Sequence, residues 1–171
     1  KVKEHDMQLF DYPLDFQLNG IKITGLLKNI HETGMVRYRP AYLTANDGVQ
    51  LWVEHLLFNS QIGEGESLAL GRDNSIWQFA AISKEDALAY LQDLVVGYCE
   101  GFNSPLILLS QSGWSWVKAC FDKKTKQYDF SSEEIQQKAL SALLQSLQGS
   151  QMQKGEMEDD YVSRTCRSID D

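Results

Sequence analysis

The chain has 171 residues, 43% hydrophobic and 23% charged, with a formal net charge of −8. That balance excludes disordered, collagen-like and coiled-coil chains, and no apolar run approaches the roughly 20 residues of a membrane-spanning helix. An autonomous nucleic-acid binder usually carries a basic footprint, which the acidic total does not supply.

Charge is unevenly placed. Residues 1–47 hold six Lys/Arg against six Asp/Glu, residues 48–121 three against eight, and residues 122–171 seven against ten. Any nucleic-acid contact is therefore expected in the first third. Cys99, Cys120 and Cys166 are odd in number and lack zinc-ligand spacing, which predicts reduced thiols in a cytoplasmic protein. The chain opens on Lys1 rather than Met and stops in a polar stretch, which predicts a piece of a longer polypeptide.

Alternation opens the chain. Met7, Leu9, Leu14, Phe16 and Leu18 predict an extended segment interrupted at Pro13, and Asn19-Gly20 is a strong hairpin turn. Ile21, Ile23 and Leu27 continue the pattern. A third strand is expected over Met35 to Arg39, after the turn Glu32-Thr33-Gly34 and before Pro40, which completes an antiparallel meander. Asn46-Asp47-Gly48 predicts a turn into a helix whose stripe is Val49, Trp52, Val53, Leu56 and Leu57. After a loop at Gly63 and Gly65, Ser67 to Leu70 and Ser75 to Phe79 read as a hairpin closed by Arg72-Asp73-Asn74.

Ser83 caps a second predicted helix, with Glu85 and Asp86 in its first turn and the stripe Ala87/Leu88, Leu91, Leu94/Val95, Tyr98. Pro105 to Leu109 predicts a short apolar strand or a buried extended segment, and Trp114 to Phe121 two helical turns. Ser131-Ser132-Glu133-Glu134 offers a capping box for a helix carrying Ile135, Leu140, Leu143, Leu144 and Leu147 and ending at Gly149. Residues 1–150 read as one domain and 151–171 as an acidic, loosely packed extension. The predicted class is α+β, a mixed α/β domain with an antiparallel meander packed on helices.

Catalytic sets are sparse. His5, His31 and His55 have no i, i+4 partner and read as surface histidines. Ser110-Gln111-Ser112-Gly113 lacks the glycine a nucleophile elbow needs before its serine. Glu133-Glu134 and Asp159-Asp160 read as solvated carboxylates. Trp52 lies on a helix stripe and is expected in the core, whereas Trp114 is expected to be more exposed and is a candidate partner anchor.

The run Thr24-Gly25-Leu26-Leu27-Lys28, followed by Arg37-Tyr38-Arg39 and then Gln50-Leu51-Trp52, resembles the core of the PD-(D/E)xK nucleases. In that family one strand reads Thr-Gly-x-Ile-Asp and the next Asp-Tyr-Lys. Their two carboxylates hold a divalent metal, and a helix follows. Here Lys28 stands at the first carboxylate position, and Arg37-Tyr38-Arg39 stands for Asp-Tyr-Lys. Cations neither coordinate nor attract Mg²⁺, so the resemblance implies a degenerate core with no catalytic, metal or cofactor residue of its own. Glu54 is the candidate for a migrated metal ligand.

A closer resemblance runs over most of the chain. Arg37-Tyr38-Arg39-Pro40, Gln50 to Leu56, Gly97-Tyr98-x-x-Gly101, Pro105-Leu106 and Ser112-Gly113 are similar to the C-terminal part of the exodeoxyribonuclease V gamma-chain (RecC) family. The resemblance implies a nuclease-like domain without nuclease activity, in a helicase–nuclease that processes double-strand breaks in DNA repair and homologous recombination. It implies RecB- and RecD-type subunits and double-stranded DNA ends as partners, no membrane, and Mg²⁺ and ATP acting only in the partner subunits. Lys28, Arg37, Arg39 and Trp114 are the candidate DNA or partner contacts. An active PD-(D/E)xK endonuclease and a protein-interaction domain with no DNA role remain the alternatives.

Overall fold

The computed structural model describes residues 9–72, 74–106, 108–150 and 153–165. His5, Met7, Asp73 and Cys166, named above, lie outside them. The chain forms two compact units that divide between Ser104 and Pro105, a division that hydrophobic patterning does not mark.

The first unit is a five-stranded sheet in the order β1-β2-β3-β4-β5 with two helices. β1 (Phe10–Leu18) and β2 (Ile21–His31) pair antiparallel about Asn19-Gly20, where both residues take the positive φ that such a turn requires. Pro13 is accommodated within β1, which lies at the sheet edge. Near its end β2 bulges: Tyr12 pairs with Leu27 but Phe10 with Ile30, and Asn29 has a φ of 50°. The Asp11 carboxylate accepts the Asn29 N–H at 2.9 Å. An extra residue changes the parity of a strand, so Leu27 and Ile30, three apart, are both buried. They meet Leu14, Met35 and Phe58 in one apolar cluster.

β3 (Gly34–Arg39) was expected to pair with Thr24 to Asn29. It pairs with β2 only through Ile30↔Met35 and His31↔Gly34, because the bulge carries the strands apart. The rest of β3 pairs in parallel with β4 (Glu66–Gly71) over six residues, Gly34↔Glu66 to Arg39↔Gly71. Parallel neighbours need a crossover, and α1 (Ala45–Gln61) supplies it. The expected hairpin is present as β4 and β5 (Ile76–Phe79), now joined to the meander in one sheet.

Asn46-Asp47-Gly48 is the first turn of α1 rather than a turn before it. Asp47 accepts from Thr44 N and Thr44 Oγ1, both at 2.7 Å, and so closes the helix start. Trp77 of β5 lies over this end, donating Nε1–H to Thr44 O at 3.1 Å. Gly48 makes that possible, since a Cβ there would stand 2.7 Å from the indole.

α2 (Lys84–Glu100) starts as expected, with Ser83 accepting from Asp86 N. Ala87 and Leu91 enter a second cluster with Leu18 and Leu56, while Trp52 packs at its margin, half-buried. The apolar stripe then outruns the core: Leu94, Tyr98 and Phe102 are exposed.

The second unit begins differently from expectation. Pro105 to Leu109 contains no strand among its described residues, and Leu106 and Leu108 are exposed. The following helix starts four residues earlier than predicted, as α3 (Ser110–Ala119). Its free N–H groups at Gln111 and Ser112 are bound by the Glu156 carboxylate at 2.9 and 2.7 Å. β6 (Phe121–Asp122) and β7 (Gln127–Tyr128) form a small hairpin. In α4 (Glu133–Gln148) the cap is Ser132, which accepts from Ile135 N, so no acid sits at the third position to complete the expected box. Gly149, at a φ of 76°, ends it. Within the segment expected to be loosely packed, β9 (Gln153–Lys154) pairs with β8 (Gly149–Ser150), and a 3-10 turn at Glu156–Glu158 leads into α5 (Asp160–Thr165).

The tightest backbone approach lies at Gly34, where φ is +145° and a Cβ would fall 1.9 Å from Glu66 O. Gly34→Ala should cost about 3 kcal/mol in urea unfolding, through strain and displacement of β4. Gly20→Ala, with open space at its Cβ, should cost about 1 kcal/mol.

Candidate functional site

Arg37 and Arg39 are two residues apart on β3 and share the face toward α1. Arg37 Nε and Nη2 both donate to Glu54 Oε2 at 2.8 Å, and Nη1 donates to Asn29 O at 3.2 Å in the β2 bulge. The pair is about three-quarters buried, with side-chain exposures of 28% and 24%. Glu54 Oε1 faces Gln50 Nε2 at 3.4 Å. Arg39 pairs two turns earlier in α1, with Asp47 Oδ2. Burial opposes ionisation of Asp47, but hydrogen bonds from Arg39 and Thr44 and the guanidinium charge outweigh it and hold its pKa down at about 2.

Lys28 does not join them. It sits beside the bulge, exposed, outside the short β2–β3 ladder, and makes no ion pair among the described residues. The three cations therefore split into two that clamp a helix and one free in solvent. Glu54, the candidate migrated ligand, is occupied by Arg37. Among the described residues no group of three or more His, Cys, Asp or Glu side chains is placed to hold a metal ion.

Behind this clamp lies a residue the sequence reading placed on the surface. His55 is fully buried. Its Nδ1 lies 2.8 Å from Ser67 Oγ of β4, and its ring stacks on Trp52 at 5.4 Å between centroids. Asn59, one turn on, donates to His55 O at 2.9 Å and Gly65 O at 3.2 Å, and accepts Gly65 N–H at 2.9 Å. These groups tie the crossover helix to the loop and strand that follow it. The only sequence signal was the spacing, since His55 and Asn59 share one face of α1 with Leu51 and Phe58.

Residues 2–121 match the RecC C-terminal domain family. The chain belongs to that family. It is 36% identical over 156 residues to RecBCD enzyme subunit RecC of Escherichia coli (strain K12). It is 29% identical over 167 residues to the RecC of Buchnera aphidicola subsp. Acyrthosiphon pisum, and 31% over 155 residues to that of Buchnera aphidicola subsp. Schizaphis graminum. These alignments cover 91%, 96% and 91% of this chain but 14%, 15% and 14% of the relatives, so the chain spans about one seventh of their length.

In this RecC-family chain Trp114 is half-buried, and Lys118 Nζ lies 6.0 Å from its ring. Cys120 is buried and Cys99 half-buried, both as free thiols. No described helix is long and apolar enough to cross a membrane.

Burial lowers the His55 pKa below its ordinary value, against the Ala80 backbone, which favours the protonated ring. The unfolded chain therefore takes up a proton before the folded one. The stabilisation is present above about pH 6.5 and is lost as the pH falls through the lower folded-state value. Urea unfolding should accordingly show a drop in stability from pH 7.5 to 5.5. His55→Gln should be less stable at pH 7.5 and show a shallower drop.

Proposed function

We propose that this domain is a non-catalytic, nuclease-like module of a RecC-type subunit, contributing to subunit assembly and to the guidance or parting of DNA. The observation that carries the reading is the pair of guanidinium–carboxylate clamps, Arg37 with Glu54 and Arg39 with Asp47. Where a PD-(D/E)xK site would present carboxylates to a metal, this chain presents cations, and the acids nearest to them are spent as ion-pair partners. Two neighbouring strands followed by a helix that closes over the second support the nuclease-like frame. Metal-assisted hydrolysis of a phosphodiester needs carboxylates free to hold the ion, and Glu54 and Asp47 are engaged by the two arginines. Catalysis, ATP and Mg²⁺ belong in this reading to RecB- and RecD-type partners.

A specific observation favours the assembly role. Tyr90, Leu94, Tyr98 and Phe102 follow one another at intervals of four along α2 and just past it, and all are exposed. On the sheet, Val36 and Tyr38 of β3 and Ile76 of β5 are exposed, the β3 pair on the face opposite the arginines. Apolar surface of this extent is typical of subunit contacts. Trp114, half covered, is a weaker anchor than these.

Supercoiled plasmid incubated with the protein and millimolar Mg²⁺ or Mn²⁺ should remain uncut. In size-exclusion chromatography the protein should co-elute with RecB- and RecD-type subunits, and Tyr98→Ser with Phe102→Ser should weaken co-elution without altering circular dichroism. Metal-dependent nicking abolished by Glu54→Ala would establish the endonuclease alternative instead. Co-elution without salt-dependent binding of forked DNA by the protein would favour an interaction domain with no DNA role.

A further inference from the structure

Four aromatic rings of the second unit form a continuous row. Trp116 of α3 lies against Phe130 at 5.7 Å between centroids and 11° between planes. Phe130 lies against Tyr128 of β7 at 5.8 Å and 2°, and Tyr128 against Phe121 of β6 at 5.0 Å and 58°. Such a row could be an ordinary miniature core, but its members are not buried: Phe121, Tyr128 and Phe130 are 38%, 48% and 50% exposed. A hairpin whose strands are two residues long leaves them at the surface on a rigid support.

The turn that joins the strands carries Lys123, Lys124 and Lys126, all exposed, and Lys118 projects from the end of α3. None of the four makes an ion pair among the described residues. Two acids lie within the same stretch, and both are engaged locally. Asp122 accepts from Lys124 N at 2.8 Å and Thr125 Oγ1 at 3.0 Å, and Asp129 from Ser131 N at 2.9 Å and Ser132 N at 3.1 Å. Residues 118–130 hold four lysines against two aspartates, a positive stretch in an acidic chain that a census by thirds conceals.

We infer that this hairpin is a binding site for single-stranded nucleic acid, with Tyr128 and Phe121, at the end of the row away from Trp116, as the stacking platform and Lys123, Lys124 and Lys126 as phosphate contacts. Aromatic faces beside unpaired cations are the recurring means of holding a strand without reading its sequence. The bases must be free to stack, because in a duplex each base face is already covered by its neighbours. An acidic protein segment would use the lysines but not the row of parallel rings. The inference deepens the DNA-guiding reading and moves the contact away from Arg37 and Arg39, whose charge is spent on α1.

Fluorescein-labelled dT15 and a 15-base-pair duplex, titrated against the whole chain and followed by anisotropy, test it. The single strand should bind with a dissociation constant of roughly 1–100 μM at low salt, weakening steeply as salt is raised, and should bind more tightly than the duplex. Tyr128→Ala should weaken binding about tenfold. Lys123→Gln, Lys124→Gln and Lys126→Gln together should weaken it and flatten its salt dependence, while Lys28→Gln should leave it unchanged. Absence of dT15 binding, undiminished binding by Tyr128→Ala, a preference for the duplex, or equal competition by poly-glutamate would each overturn the assignment. A chain that co-elutes with partner subunits yet fails to bind dT15 would refute this site and leave the assembly reading standing.

Discussion

The Arg37–Glu54 pair ties together three segments that the chain order keeps apart. One guanidinium spans the second strand's bulge, the third strand and the crossover helix, by donating to Asn29 O and to Glu54 at once. Charge-assisted bonds of this kind are the strong ones, and partial burial shields them from the screening that weakens surface pairs. Removing either partner leaves the other half-buried and uncompensated, which costs more than the pair contributes. The same pair withdraws Glu54 from any metal. One ion pair thus both pins α1 to the sheet and occupies the Glu54 carboxylate.

The His55–Ser67–Asn59 group does the complementary work on the other flank of the helix. Ser67 is fully buried on β4, so its hydroxyl needs a partner, and the His55 ring provides it. Asn59 spends both ends of its amide on Gly65 and on His55 O. Gly65 in turn must lack a side chain, because a Cβ would strike Phe58 and Thr33 O at 2.6–2.7 Å. A parallel strand pair has no tight turn to set its register. Here the crossover helix sets it, through ion pairs near its start and middle and buried polar bonds in its second half.

Much of this was legible beforehand. Asn19-Gly20 marked the first hairpin, Ser83 the start of α2, and the paired periodicities the strands and helices. What escaped has physical reasons. Period-2 patterning assumes an unbroken pleat, and the bulge at Lys28-Asn29 violates it, so the extent of β2–β3 pairing and the separation of Lys28 from Arg37 were out of reach. Parallel pairing leaves no local mark comparable to Asn-Gly. His55 is polar, and only its partner twelve residues on makes its burial tolerable. The stripe of α2 was read correctly as apolar, but a stripe does not state where the core beneath it ends. Arg37 and Arg39 were read as candidate DNA or partner contacts, and their ion pairs with α1 depend on how the helix returns over β3, which no local pattern states. Glu54 was weighed only as the candidate for a migrated metal ligand, a poor one among cations, and it pairs with Arg37.

The capping of α3 by Glu156 has a consequence for how the second unit is held together. Forty-five residues separate the Glu156 carboxylate from the Gln111 N–H it accepts. Among the described residues the Ser112 hydroxyl beside it is buried without a hydrogen-bond partner. The C-terminal segment is therefore a splint and not an appendage: a protease that clips the chain just after Ser150 would loosen a helix forty residues upstream of the cut. Loss of the tail would register first in the amide exchange of Gln111 and Ser112, long before the strands of the other unit felt it.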